Sequence, residues 1–234
     1  MSDNTPRREF LGQIAASAIV LAGTACAAPL AATQPAPTPM APPPAPKTWD
    51  DSWFGRITTK HKAVFDSPEI DDGLAVSQAA GYINQMRAAL DVGNDVISVL
   101  VIRHAAIPMA FNDAMWAKYE FGKYEKIKDE RTKQWATRNP YLGQATAAAA
   151  ATSDVPEHAQ GTLSWLGTHG QILLGCDLAT RGMSTIIAQR TNQTPTAVYE
   201  EIKANLVPGL ILQPSGVYAV HRAQEAGCSY IRST

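Results

Sequence analysis

Cys176 is the residue whose neighbours best suit it to chemistry. It follows the apolar run 172–174 and a single glycine, and Asp177 and Arg181 come within the next five positions. A thiol between a strand end and the amino terminus of a helix is favoured as the nucleophilic thiolate, and Arg181 would add positive charge. Free cysteine is also among the most buried residue types, so a packed and unreactive Cys176 is the alternative interpretation.

His104 is the second candidate, because it closely follows another continuous apolar run, residues 96–102. In an open parallel sheet, ligands and reacting groups collect beyond the carboxyl ends of the strands. If the two strands are neighbours, His104 lies near Cys176 and can act as a base or orient a ligand. The alternative is a histidine that only satisfies hydrogen bonds at a strand end. Cys176, His104 and Arg181 therefore form the predicted catalytic set.

Other kinds of site have no motif in this sequence. The three cysteines form no CxxC pair and the histidines show no metal-ligand spacing, so no metal is expected. No phosphate loop or dinucleotide fingerprint is present, so no cofactor is expected, and Ser215 lacks a GxSxG elbow. The formal net charge of -1 gives no basic surplus, which argues against nucleic acid as a partner. Cys228 opens the last strand-like run, and we expect it to pack in the core rather than resolve Cys176.

Strand-like and helix-like segments alternate through residues 48–234, the stretch that must position these side chains. The run 96–102 is β-branched without polar alternation, which is typical of a strand buried on both faces. Residues 74–90 repeat apolar side chains at helical spacing. The alternation predicts an α/β domain with a mostly parallel sheet. We predict strands at 61–66, 96–102, 171–176, 209–215 and 228–233.

One region, residues 113–153, does not fit this alternation. Its charged part could form a hairpin that turns at 129–133, or more helix, and the alanine run 147–151 is of low complexity. We interpret the region as a surface excursion whose charges form a solvated face. A partner-binding insert is the alternative.

Three segments of the chain carry motifs of one protein family. The chain from 206 to 232, LVPGLILQPSGVYAVHRAQEAGCSYIR, is similar to the carboxyl-terminal pattern PG-V-x-P-SG-V-x-x-Q-x-x-G-x-x-Y-I of the DsrE/DsrF-like family. ILLGCDLATRGM, from 172, resembles the segment that holds the reactive cysteine in TusD-like sulfur-relay members. VLVIRHAAIPMAF, from 99, resembles the second strand and its following loop. The resemblance covers residues 61–112 and 170–232.

This resemblance implies a three-layer α/β/α sandwich with a flavodoxin-like sheet of about five strands. It also implies a homo-oligomer, a trimer or hexamer, and a sulfur carrier or sulfurtransferase-like protein that holds sulfur as a persulfide on Cys176. A sulfur donor or acceptor protein would then be a partner. Thiol redox through Cys176 is a variant of this function. A non-catalytic oligomeric binding module on the same fold is the alternative.

The first 47 residues are expected to serve export rather than the fold. Arg7 and Arg8 stand before Phe10 and a moderately apolar stretch, which resembles a twin-arginine (Tat) signal over residues 1–28. An ordinary secretory signal that carries two arginines is the alternative. Residues 29–46 hold eight of the sixteen prolines, so 29–47 reads as an extended linker. The Tat translocase is thus an expected partner during export, and the periplasm the expected location. Cleavage near 27, lipidation of Cys26 and an uncleaved membrane anchor all stay open.

Overall fold

The structure is a computed structural model that describes residues 49–143 and 161–234. The predicted export signal, the linker and the alanine run lie outside these ranges. The five strands are β1 (His61–Ser67), β2 (Val96–Ile102), β3 (Ile172–Cys176), β4 (Leu210–Gln213) and β5 (Ser229–Arg232). The α-helices are α1 (Leu74–Leu90), α2 (Asp113–Lys118), α3 (Phe121–Tyr124), α4 (Leu163–Thr168), α5 (Asp177–Thr191), α6 (Pro195–Ala204) and α7 (Gly216–Glu225). A 3-10 helix, His104–Ala110, follows β2.

The strands form one all-parallel sheet in the order β4-β3-β2-β1-β5. The chain adds β2, β3 and β4 outward from β1 and then returns to place β5 on the other side of β1. Because all five strands run the same way, their carboxyl ends meet at one edge. β2 and β3 are neighbours, which is the condition under which His104 was expected near Cys176.

Apolar side chains cover both faces of the sheet. In β2, Leu100 and Ile102 belong to one core cluster, and Val99 and Val101 to the other. This alternation of neighbours explains the continuous apolar run, because each face meets its own helices. The first face packs against α1, α5 and α6, and the second against α7 and Trp53. The protein is therefore a three-layer, flavodoxin-like α/β/α sandwich, as expected.

The described part of the excursion packs into the domain more closely than a surface segment would. Trp116 and Phe121 are fully buried and belong to the core cluster of the first face. Asn139 donates hydrogen bonds of 2.8 Å to the carbonyl oxygens of Met109 and Phe111. Residues 113–143 are thus tied to the loop after β2, while charged side chains such as Lys123 stay exposed. Within the described residues, no helix is long and apolar enough to cross a membrane.

Candidate functional site

A groove of about 550 Å³ lies at the carboxyl edge of the sheet. Cys176 from β3 and the segment after β2, with Arg103 and His104, line it together. The first turns of α5 and α7 form further walls. The sequence-predicted pair of Cys176 and His104 is therefore brought to one cavity, at the edge where parallel α/β sheets collect ligands.

Cys176 is both the last residue of β3 and the N-cap of α5. Its Sγ accepts a hydrogen bond from the backbone N–H of Ala179 at 3.3 Å, and Thr180 Oγ1 donates to its carbonyl oxygen at 2.9 Å. The residue is 6% exposed, and it lines the groove. The sulfur thus replaces the oxygen of an ordinary N-cap side chain, at the positive end of a 15-residue helix.

Arg103, rather than Arg181, is the guanidinium that lines the Cys176 groove. Its Nε and Nη2 donate to Asp66 Oδ1 and Oδ2 at 2.6 and 2.9 Å, a bidentate pair between the ends of β1 and β2. Asp66 raises the pKa of Arg103, and smaller charge contributions come from Tyr230 and Cys176. The guanidinium is therefore fixed, and it is close enough to Cys176 for their charges to interact.

Asp66 holds the Arg103 guanidinium in place. It is 2% exposed, and Tyr230 of β5 donates a hydrogen bond of 2.9 Å to its Oδ2. A buried carboxylate is tolerated only when it is paired and hydrogen-bonded, and here two partners on adjacent strands meet that need. The cluster of Asp66, Arg103 and Tyr230 joins β1, β2 and β5 at the edge that carries the groove.

His104 is exposed and opens the 3-10 helix after β2. Its φ of 53° lies in the left-handed region, which is uncommon for a side-chain-bearing residue. This turn places the imidazole on the groove wall next to Arg103. The histidine can reach a ligand in the groove, which is the role expected of it.

The amino terminus of α7 closes another side of the groove. Ser215 is its N-cap, with Oγ accepting from the Tyr218 N–H at 3.1 Å. Gly216 follows, and a Cβ there would come within 2.4 Å of the Arg103 side chain. Glycine is thus required for Arg103 and α7 to approach this closely. Two helix amino termini and one guanidinium therefore line the same cavity, which favours an anionic group in it.

Arg181 lines a different groove, of about 910 Å³, beside α5, α6 and β4. Its Nε donates to Asp177 Oδ2 at 2.6 Å, and its guanidinium stacks on the Tyr199 ring at 4.0 Å. Tyr199 also donates to Asp177 Oδ1, and burial, together with this carboxylate, raises the pKa of Tyr199 to about 12. Arg181 thus holds α6 against the start of α5 instead of lining the Cys176 groove.

Glu125 is a groove residue that the sequence reading missed. It follows α3, is half-buried, and lines the cavity with Tyr124. Burial raises the pKa of its carboxyl group. Its carboxyl group has no hydrogen-bond or ion-pair partner among the described residues, while its backbone N–H donates to the carbonyl oxygen of Phe121 at 2.8 Å. A carboxyl group with a raised pKa in a cleft is a candidate proton donor or acceptor.

Apolar side chains form most of the remaining rim. Leu178 is 67% exposed and Val217 is 70% exposed, in the first turns of α5 and α7, and Ile186 is 39% exposed further along α5. Large exposed apolar side chains gathered around one cavity are typical of a binding surface. The groove therefore combines an apolar rim with a small polar end near Cys176.

The remaining cysteine and histidine candidates behave as structural or surface groups. Cys228 precedes β5, so it lies at the amino-terminal edge of the sheet, opposite Cys176, and burial raises its thiol pKa to about 11. His221 pairs with Glu225 at 3.2 Å on the exposed side of α7. Within 49–143 and 161–234, no group of three or more His, Cys, Asp or Glu residues is placed to hold a metal ion.

Fold and groove together define an all-parallel α/β/α protein with a thiol at the carboxyl edge of its sheet. Comparison with protein-family models, with curated proteins and with solved structures found no match for this chain.

The sequence carried a signal for the position of Arg103 and another for that of Arg181. Arg103 directly precedes His104 and follows the β2 run, so the strand-end argument applied to it equally. Asp177 and Arg181 are spaced i, i+4, which predicts a pair on one helix face and directs Arg181 away from the N-cap. Glu125 carries no such signal, because its place depends on how the segment after α2 folds back.

Proposed function

We propose that this protein is an exported, DsrE/DsrF-like sulfur carrier that accepts one sulfur atom on Cys176 as a persulfide. The observation that carries this proposal is the position of Cys176, an N-cap thiol in a groove that also holds Arg103 and His104. A backbone N–H donor, a helix amino terminus and a nearby guanidinium are the groups that stabilise a thiolate.

The transfer step needs no oxidant. The Cys176 thiolate attacks the outer sulfur of a donor persulfide R–S–SH, forming the bond from Sγ to that sulfur. The S–S bond of the donor breaks, and the R–S⁻ thiolate leaves with the electron pair. The outer sulfur keeps its proton. Arg103 would stabilise the anionic sulfur in the groove, and His104 would accept the proton of the Cys176 thiol and then pass it to the leaving R–S⁻ thiolate.

Dithiol redox chemistry is a weaker candidate for this chain. A protein disulfide needs its two Cα atoms within about 7 Å. Cys228 lies at the opposite edge of the sheet from Cys176, and both thiols are free. Single-thiol sulfur transfer needs no such partner.

The experiment is loading with glutathione persulfide, followed by intact-protein mass measurement. Wild type should gain one sulfur atom, Cys176→Ser should gain none, and Cys228→Ser should load like wild type. His104→Ala should load more slowly while keeping its fold, because an exposed strand-end histidine adds little to the core. Loading on Cys228, or on neither cysteine, would refute the proposal.

A non-catalytic binding module is the second candidate function. It is favoured by the 6% exposure of Cys176 and by the apolar rim of Leu178, Ile186 and Val217. In that case Cys176 would serve only to pack the core, and it would resist alkylation until the protein is denatured. Loading and alkylation therefore separate the two functions.

Export, location and assembly belong to the same proposal. The Tat-type signal over 1–28 directs the folded domain to the periplasm, so replacing Arg7 and Arg8 with lysine should retain the protein in the cytoplasm. The domain from Trp49 onward is proposed to form a trimer or hexamer. A monomer in light scattering at micromolar concentration would contradict that assembly.

A further inference from the structure

The exposed apolar residues of this protein are concentrated at the Cys176 groove. Seven large hydrophobic side chains in the described part of the chain are exposed, and four of them line this cavity. The four are Tyr124, Leu178, Ile186 and Val217. Scattered apolar side chains are normal on a protein surface, but a cluster around a concave site indicates what that site contacts.

The polar groups of the groove occupy a small part of it. Arg103 uses Nε and Nη2 on Asp66, and its Nη1 has no hydrogen-bond partner among the described residues. One anionic atom near Cys176 would suit the polar groups of the groove. These are Nη1 of Arg103, His104 and the first N–H groups of α5 and α7. Glu125, which also lines the groove, would repel a second anionic group.

We infer that the sulfur donor is a small organic persulfide with an uncharged, apolar body, such as an aryl or branched alkyl group. This inference rests on the proposed function. A cavity of about 550 Å³ is in the size range of small-molecule sites, and an inorganic polysulfide would leave its walls uncovered. The body of the donor lies against Leu178, Ile186 and Val217, while its terminal sulfur meets the Cys176 thiolate. The sulfur atom then transfers by the balanced exchange given above.

Two donors of contrasting bodies test this assignment. Phenylmethyl persulfide carries an apolar ring, whereas glutathione persulfide carries two carboxylates and an ammonium group. Loading rates on Cys176 are divided by the rates on free cysteine, which removes the intrinsic reactivity of each donor. We expect wild type to favour the phenylmethyl donor by about ten-fold or more, the usual discrimination of an apolar pocket.

Rim variants show whether the groove causes that preference. Leu178→Gln and Val217→Gln should each lower the ratio of phenylmethyl loading to glutathione persulfide loading by about ten-fold. Both side chains are exposed, so neither change should unfold the protein. Leu90→Gln, at the 55% exposed end of α1, is the matched control and should alter neither rate. Equal normalised rates in wild type, or unaffected rim variants, would overturn the inference.

Binding of the leaving thiol separates this inference from the proposed function. Calorimetric titration with phenylmethanethiol should detect binding to wild type that is about ten-fold weaker in Leu178→Gln. If no donor loads Cys176 but this binding holds, the sulfur-carrier function fails and the ligand class of the groove stands. If Cys176 loads without preference and the thiol does not bind, the function stands and the ligand class is wrong.

Discussion

Cys176 and Cys228 are equally hidden, each 6% exposed, yet they lie at opposite edges of one sheet. Cys176 ends β3 and caps α5, with an N–H donor on its sulfur and a guanidinium nearby. Cys228 directly precedes β5 and belongs to the core cluster of the second face, and burial raises its pKa to about 11. The fraction of exposed surface therefore does not distinguish these two thiols. The groups around the sulfur do.

This difference follows from the direction of the strands. In a parallel sheet, every strand delivers its carboxyl end to the edge where the helices also begin, so N–H donors converge there. At the amino edge, helices end and present carbonyl oxygens. Cys228 follows the end of α7, and its N–H donates to the carbonyl oxygen of Ala223 at 3.1 Å. The two thiols thus meet opposite ends of helix dipoles.

The largest expected effect is the contrast in alkylation rate between the two thiols. At pH 8, a thiol of pKa about 11 is ionised to about one part in a thousand, so Cys228 in native protein should react very slowly. Iodoacetamide labelling followed by peptide mass analysis should show Cys176 reacting about 100-fold faster or more. Equal rates, or faster labelling of Cys228, would show that thiol reactivity does not differ between the two edges of the sheet in the expected direction. Labelling in denaturant, where both sites should react alike, is the control.

The next largest effect is expected on the free energy of unfolding, in variants of the cluster of Asp66, Arg103 and Tyr230. Asp66→Ala leaves Arg103 and Tyr230 without their buried partner, and we expect a loss of about 3–5 kcal/mol in the free energy of unfolding. Tyr230→Phe removes one hydrogen bond and should cost about 1 kcal/mol. Urea unfolding measures all variants.

The matched control for Asp66 is an exposed pair elsewhere. Asp113 accepts from Arg138 at 2.7 Å, but these side chains are 32% and 62% exposed. Asp113 Oδ1 also accepts a hydrogen bond of 3.0 Å from the Asn139 N–H, so Asp113→Ala should cost about 1–2 kcal/mol, less than Asp66→Ala. If Asp66→Ala and Asp113→Ala lower the free energy of unfolding equally, burial of the Asp66 cluster adds no stability beyond that of an exposed ion pair.

Much of the fold could be predicted from the sequence. The run 96–102 predicted β2 at its observed bounds, because a strand buried on both faces has no polar alternation. The order of the strands could not be predicted, because a parallel crossover allows several neighbours and only packing selects among them. The sequence placed Cys176 between a strand end and the amino terminus of a helix, and in the structure it is the last residue of β3 and the N-cap of α5.

The site was predicted in part, for a related reason. Cys176 and His104 came from a rule about strand ends, which holds wherever the strands are parallel neighbours. Arg181 came from closeness in sequence, but its i, i+4 spacing from Asp177 places it on the helix face of Asp177 rather than beside Cys176. Arg103 and Glu125 depend on tertiary contacts, namely the Asp66 pair and the fold of the segment after α2.

A smaller effect is expected where α7 meets Arg103. In Gly216→Ala the new methyl group would lie 2.4 Å from the Arg103 side chain, so Arg103 or α7 must move. We expect a cost of about 1–3 kcal/mol and slower sulfur loading. Gly81→Ala is the control, because Gly81 lies in α1 outside the groove, a Cβ there meets only Gln85 Nε2 at 3.9 Å, and alanine should stabilise the helix by up to about 1 kcal/mol. A Gly216→Ala protein as stable and as active as wild type would show that the contact with Arg103 is unimportant.

The smallest effect concerns Glu125 and should appear only as a dependence on pH. Burial raises the pKa of this carboxyl group, so the folded protein holds its proton more tightly than the unfolded chain does. As pH rises through the ordinary value and then through the raised one, the folded state must ionise a half-buried group, and stability is lost. Glu125→Gln removes this loss. It should therefore be more stable than wild type at pH 7, with the gain vanishing near pH 3, where the wild-type carboxyl is protonated in both states.

Urea unfolding at the two pH values measures the difference, and Glu130→Gln, at an exposed position in the same segment, is the control. An equal gain at both pH values would mean that the charge of Glu125 is not its cause, and a loss at pH 7 would mean that an ionised Glu125 stabilises the groove.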